Sequence, residues 1–211
     1  MTQILLVLHI LAGVVALAAA GVAVGSAKGA RLHRRSGTLY TLAMLGVALS
    51  ALVLAVLRPN PFLFAVGVFS LYLVFTGWRA AVLRDGRPRP LDHAGGAAMA
   101  LAGLGMLGWG VQGMLDAGGA QPVILVAFGS IGLTMALADW RDWARGAING
   151  KARIARHLGR MLGGTIATIT AAGVVNLGAL PDLVVWLGPT VLITPVIFWW
   201  TARVMRGAVP V

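Results

Sequence analysis

Seven long runs of apolar residues alternate with short polar segments along the chain. A helix needs about 20 apolar residues to cross a hydrocarbon core of roughly 30 Å, and each run is close to that length. The runs cover residues 4–25, 37–57, 61–83, 94–115, 122–139, 158–180 and 183–202. This pattern predicts an all-α protein, a polytopic membrane bundle of seven transmembrane helices that forms one domain over residues 1–211.

The composition excludes the main soluble classes. Charged residues make up 11% of the chain and hydrophobic residues 59%, whereas soluble domains carry about 25% charged residues. The chain has no cysteine, which excludes a disulfide scaffold, a zinc ribbon, an iron–sulfur protein and a thiol enzyme. It also contains no Walker motif, nucleophile elbow or H-E-x-x-H sequence.

The basic residues predict how the helices are oriented. Of the 17 Lys and Arg residues, all except Arg58 lie in or beside the segments that follow the first, third, fifth and seventh runs. By the positive-inside rule, the N-terminus lies outside, the C-terminus is cytoplasmic, and the protein spans the bacterial inner (plasma) membrane. The basic cluster follows the first run, so this run is expected to be an N-out anchor. Contact with anionic lipids on the cytoplasmic face then accounts for the net charge of +11, and no nucleic acid is needed as a partner.

A weak internal repeat places three histidines at matching positions. Trp78-Arg79 is followed, after a basic loop, by His93, and Trp140-Arg141 is followed in the same way by His157. The first pair of runs is joined similarly through His33. We therefore predict three pseudo-repeated helical hairpins plus a final helix, with these histidines at the inner ends of the second, fourth and sixth spans. His9 is expected near the outer face, separated from the inner end of its own span by roughly 24 Å of helix.

The predicted helix starts favour neutral imidazole, the form that binds metals. We expect a cytoplasmic-side cluster of His33, His93 and His157 that holds a cofactor or a metal ion. Two arginines, Arg34 and Arg160, are candidates for binding haem propionates or lipid phosphates. Tyr40, which lies close to His33 in sequence, is expected near the same cofactor. Three carboxylates on the same side are expected to orient a histidine or to pair with neighbouring arginines; they are Asp92, Asp139 and Asp142.

The string His33-Arg34-Arg35-Ser36-Gly37-Thr38-Leu39-Tyr40 resembles the H-R-x-x-G-x-x-Y motif of an uncharacterised family of bacterial multi-pass membrane proteins. Three further features are compatible with that family: Ser70-Leu71-Tyr72, Thr76-Gly77-Trp78-Arg79 and the early His9. The resemblance implies a membrane protein with inner-face histidines and no established reaction. A histidine at a helix entry followed by glycine is also similar to the helices of transmembrane b-type cytochromes.

Three functions follow from these features. In the first, two of the three inner histidines bind a b-type haem for electron transfer, with a quinone or another redox molecule as partner. In the second, all three hold a Zn or Fe ion that activates water, and the protein is a metal-dependent membrane hydrolase acting on a lipid-like substrate. In the third, the histidines are structural, in a transporter or assembly factor. The oligomeric state is left open.

Overall fold

The computed structural model describes residues 2–207, and these residues form seven helices. They are α1 (Thr2–Gly25), α2 (Arg31–Leu57), α3 (Pro61–Val82), α4 (Pro90–Asp116), α5 (Ala120–Ala144), α6 (Gly150–Asn176) and α7 (Asp182–Arg206). Each is long and apolar enough to cross a membrane. The predicted all-α, seven-helix membrane bundle is confirmed, and the chain is built as a multi-pass membrane protein.

The helices extend beyond the apolar runs at one end of the bundle. α2 begins at Arg31 rather than at 37, α4 at Pro90 rather than at 94, and α6 at Gly150 rather than at 158. This end carries the α1–α2, α3–α4 and α5–α6 loops and the end of α7, and we call it the basic end. Polar helix turns are stable there because water and headgroups satisfy their side chains, so hydropathy alone underestimates helix length.

Four of the helices form a ring. α1 packs on α2, α2 on α3, α3 on α6, and α6 on α1. α2 and α6 are therefore diagonal partners: no pair of their Cα atoms lies within 8 Å, and only side chains meet between them. The buried residues inside the ring are Ala16, Ala19, Ala20, Tyr40, Met44 and Val74, with Met161 packed against them.

α4 and α5 form the most closely packed pair, on the other side of α3. Glycines allow this approach, since a Cβ atom on Gly129 would lie 2.9 Å from the carbonyl oxygen of Gly103. α5 and α6 have no Cα atoms within 8 Å of each other. The third predicted hairpin is therefore not a packed pair, because α5 packs on α4 and α6 packs on α3.

Two sets of hydrogen bonds join the start of α6 to the end of α3 and to the α3–α4 loop at the basic end. The amide of Ile148, before α6, donates a hydrogen bond to the carbonyl oxygen of Gly86 in the α3–α4 loop at 3.0 Å. Arg153 Nη1 donates to the carbonyl oxygens of Ala80 and Ala81 at 2.7 and 3.1 Å. Those carbonyls lie in the last turn of α3, where a helix leaves its oxygens without intrahelical donors.

Candidate functional site: a histidine pair and a buried ionic network

His33 and His157 face each other at the basic end of the four-helix ring. Their ring centroids are 6.4 Å apart and their planes are nearly perpendicular, at 86°. They come from the diagonal helices α2 and α6, and both rings are half-buried. His33 lies in the first turn of α2, whereas His157 lies about two turns inside α6. The helix dipole acts within the first turn, so it reaches His33 but not His157.

A backbone carbonyl orients each of the two rings. His33 Nδ1 lies 3.0 Å from the carbonyl oxygen of Ala23 on α1, and His157 Nδ1 lies 2.9 Å from that of Gly77 on α3. A carbonyl oxygen only accepts hydrogen bonds, so Nδ1 is the donor and carries the proton in both rings. In the neutral form, this leaves the Nε2 lone pair of both rings free to bind a metal. A carbonyl or carboxylate bonded to the other ring nitrogen is the usual partner of a metal-binding histidine.

The separation of the two rings suits ligands on opposite sides of one ion. With metal–nitrogen bonds of about 2.0–2.1 Å and about 1.1 Å from nitrogen to ring centre, such ligands have centroids about 6.3 Å apart. Two imidazoles at a tetrahedral angle on one ion would have centroids about 5 Å apart. The observed 6.4 Å matches the first arrangement.

His93 lies apart from this pair. Its exposed ring packs against Trp143 of α5, with centroids 4.7 Å apart. α4, which carries His93, has no Cα atom within 8 Å of α2 or α6. Within residues 2–207, no three His, Cys, Asp or Glu side chains form a group that could hold a metal ion. The structure thus brings together two of the three predicted ligands, and the third belongs to the α4–α5 pair.

The predicted companions of the histidines have other partners. Arg34 donates to the carbonyl oxygen of Gly29 at 2.9 Å and is exposed. Arg160 is buried, and its Nη2 donates to Asp139 at 2.8 Å and to the carbonyl oxygen of Met135 at 3.1 Å. Both predicted propionate-binding arginines are thus engaged away from the histidine pair.

Tyr40 lies two helical turns deeper than His33 on α2, and its hydroxyl reaches across the ring to α6. A Cβ atom on Gly164 would lie 2.6 Å from the Tyr40 hydroxyl, so only glycine leaves room for this oxygen. The hydroxyl is fully buried and has no hydrogen-bond partner within the described residues. A buried polar atom without a partner is costly, and within residues 2–207 Tyr40 Oη shares this state with Arg160 Nη1 and Thr170 Oγ1 on α6.

The charged residues form a buried network that the sequence analysis did not foresee as a unit. Asp139 of α5 is 1% exposed and lies 2.8 Å from Arg160 Nη2 and 3.2 Å from Arg156 Nη1, both on α6. Tyr72 of α3 donates to Asp139 Oδ2 at 2.6 Å. The feature of the sequence that indicates this network is Asp139 at the end of an apolar run, since charged groups in membrane helices usually pair with one another.

The other two carboxylates also pair with arginines. Arg79 binds Asp92 through two hydrogen bonds of 2.7 Å, from Nε to Oδ1 and from Nη2 to Oδ2. Asp142 lies 2.9 Å from Arg156 and 3.4 Å from its sequence neighbour Arg141. These contacts agree with the expectation of ion pairing. The groups that accept hydrogen bonds from His33 and His157 are backbone carbonyls rather than these aspartates.

His9 lies in the first helix, away from the basic end. Its Nδ1 is 2.9 Å from the hydroxyl of Ser50 and 3.1 Å from the carbonyl oxygen of Val47, both on α2. The contact joins α1 to α2 and involves neither His33 nor His157. The predicted separation of His9 from the basic-end histidines agrees with this position.

Comparison of the chain with protein-family descriptions, with curated proteins and with solved structures found no match in any of the three.

Proposed function

We propose that His33 and His157 would hold a haem b and that the protein transfers electrons through this cofactor. The observation that carries the proposal is the histidine pair: the centroids are 6.4 Å apart and both Nδ1 atoms are held by backbone carbonyls. This arrangement leaves the Nε2 atom of each ring free to bind an ion. The cofactor supplies reversible one-electron chemistry, and the chain binds and orients it.

The surroundings of the pair support a flat cofactor. The two histidines come from the diagonal helices α2 and α6, whose backbones do not pack on each other, so they would hold a cofactor from two sides of the four-helix ring. Small residues face this region: Ala19 and Ala20 of α1 are buried inside the ring, and a Cβ on Gly37 would have no neighbour within 4 Å. The unpartnered Tyr40 hydroxyl at the deeper side is available to a polar edge of the cofactor.

The proposal includes the predicted orientation. With the N-terminus outside and the C-terminus cytoplasmic in a bacterial inner membrane, the histidine pair lies near the cytoplasmic leaflet. A quinone or a cytoplasmic redox protein would exchange electrons there. The support is the distribution of basic residues, 16 of which lie at the basic end. A C-terminal reporter that is active only in the periplasm would contradict this orientation.

The test is purification in a mild detergent followed by absorption spectroscopy. We expect a red protein with a Soret band, and α and β bands on reduction. His33→Ala and His157→Ala should each remove the haem. His93→Ala and His9→Ala are matched controls and should retain it, since neither residue is part of the pair. A colourless, iron-free wild-type protein, or equal loss of haem in His93→Ala, would contradict the proposal.

One observation favours a second candidate, a transporter or assembly factor with structural histidines. The histidine–carbonyl hydrogen bonds join α2 to α1 and α6 to α3, and such bonds stabilise helix packing in lipid by about 0.6–2 kcal/mol. In that case His33→Ala and His157→Ala would lower the melting temperature of a protein that carries no haem. The zinc or iron hydrolase needs a third ligand, and the position of His93 at Trp143 does not favour it.

A further inference from the structure

A small cavity at the basic end lies apart from the histidine pair. It is partly open and is lined by the end of α3, the α3–α4 loop, the end of α5 and the start of α6, and its volume is about 40 Å³. One water needs about 10–15 Å³ on the same measure, so the cavity has room for a tetrahedral oxyanion. The charged residues that line it are Arg79, Arg87, Asp92, Asp139, Arg153 and Arg156.

The charges around this cavity do not balance. Four arginines and two aspartates give +4 and −2, a formal excess of +2. Both aspartates are already engaged: Asp92 with Arg79 at 2.7 Å, and Asp139 with Arg156 and the buried Arg160. Arg156 also pairs with Asp142 just outside the lining, so adding Arg160 and Asp142 leaves the formal excess at +2.

Two of the lining arginines carry this excess. The Arg153 guanidinium donates only to the carbonyl oxygens of Ala80 and Ala81, and the Arg87 guanidinium forms no ion pair in the described part of the chain, although the Arg87 amide donates to Asp85 at 3.3 Å. Guanidinium groups bind phosphate with two parallel hydrogen bonds and are less strongly hydrated than ammonium groups. A positive cleft next to low-dielectric protein also concentrates anions.

We infer that this cavity binds a phosphate group, supplied by an anionic lipid headgroup or by a soluble phosphate compound. The positive excess complements the negative charge of such a group, and the arginine-only set of cations matches its geometry. The cavity lies at the ends of the helices, at the level where headgroups are found. A bound phosphate would bridge the α3–α4 loop, through Arg87, to the start of α6, through Arg153.

Binding of inorganic phosphate to delipidated protein in a neutral detergent tests the site. Isothermal titration calorimetry should show saturable binding to the wild type. Arg87→Gln and Arg153→Gln should each weaken it about tenfold, as expected for loss of one charge-assisted hydrogen bond. Arg145 is exposed at the same end of the bundle and does not line the cavity. Arg145→Gln removes the same charge, so this variant should bind phosphate with the affinity of the wild type. Arg87 is exposed, so its replacement should leave the melting temperature unchanged.

A second measurement distinguishes the two sources. Native mass spectrometry of protein from nanodiscs of phosphatidylglycerol and phosphatidylethanolamine reports retained lipid. Preferential retention of phosphatidylglycerol that Arg87→Gln abolishes assigns a lipid headgroup. Phosphate binding without such retention assigns a soluble compound. The inference is overturned if neither phosphate nor phosphatidylglycerol binds the wild type, or if Arg145→Gln weakens binding as much as Arg87→Gln.

Discussion

Tyr72 of α3 donates a hydrogen bond of 2.6 Å to Asp139 of α5, and the guanidinium of Arg160 lies over the same tyrosine ring, 4.9 Å from its centroid. Three helices therefore meet at one carboxylate. Asp139 is 1% exposed, so the arginines and the tyrosine provide most of the hydrogen bonds to its carboxylate. This network holds α6 against α5, although the backbones of the two helices do not pack on each other.

Asp139→Asn should strongly destabilise the protein. The change keeps the side-chain shape but leaves Arg160 buried without a counter-charge, and breaking a buried ion pair costs about 3–5 kcal/mol. Thermal unfolding in detergent measures the effect. Asp116→Asn is the control, because Asp116 is an exposed aspartate at the end of α4. Equal melting temperatures for the two variants would contradict the structural role of Asp139.

Gly77→Ala should separate α3 from α6. A Cβ atom at position 77 would lie 3.0 Å from both Arg160 Cβ and Met161 Sδ, and Arg160 cannot retreat because Asp139 holds it. Overpacking of this kind costs about 1–3 kcal/mol. The carbonyl of Gly77 also orients His157, so we expect weaker cofactor retention together with the lower melting temperature.

Gly105→Ala is the matched control for this change, because a Cβ at that helical position meets nothing within 4 Å. It should stabilise the helix by up to about 1 kcal/mol through helix propensity. If the two variants shifted the melting temperature in the same direction, the close approach of α3 and α6 at Gly77 would be wrong.

The Arg79–Asp92 pair should show strong energetic coupling. Its side chains are 15% and 6% exposed, and the contact is bidentate. A double-mutant cycle with Arg79→Met and Asp92→Asn should give a coupling near the upper part of the usual range of about 0.5–3 kcal/mol.

The exposed Arg89–Asp85 pair is a control of the same residue types, with side chains that are 54% and 44% exposed. The same cycle there should give about 0.2–1 kcal/mol, since water screens the charges. Equal coupling in both cycles would show that burial does not strengthen the Arg79–Asp92 contact.

Hydropathy predicted the number of helices because crossing a membrane requires a fixed length of apolar side chains. The same property could not locate the basic-end helix starts, such as Gly150, where the side chains are polar. The sequence predicted that His33 and His157 lie at the same end of the bundle, because successive membrane spans run in opposite directions. Their pairing did not, since it depends on which helices are neighbours. The repeat favoured α5 beside α6, whereas glycines at positions 103 and 129 allow α4 and α5 to pack closely.

The order of the network along the chain has a consequence for biogenesis. Asp139 is synthesised before Arg156 and Arg160, its partners on the next helix. While α5 enters the bilayer alone, its carboxylate has no counter-charge, and a charged side chain in lipid is expensive. We therefore expect α5 to insert stably into the membrane only together with α6, after α4 has inserted. A chain truncated after α5 should therefore insert this helix less stably than a chain that also contains α6.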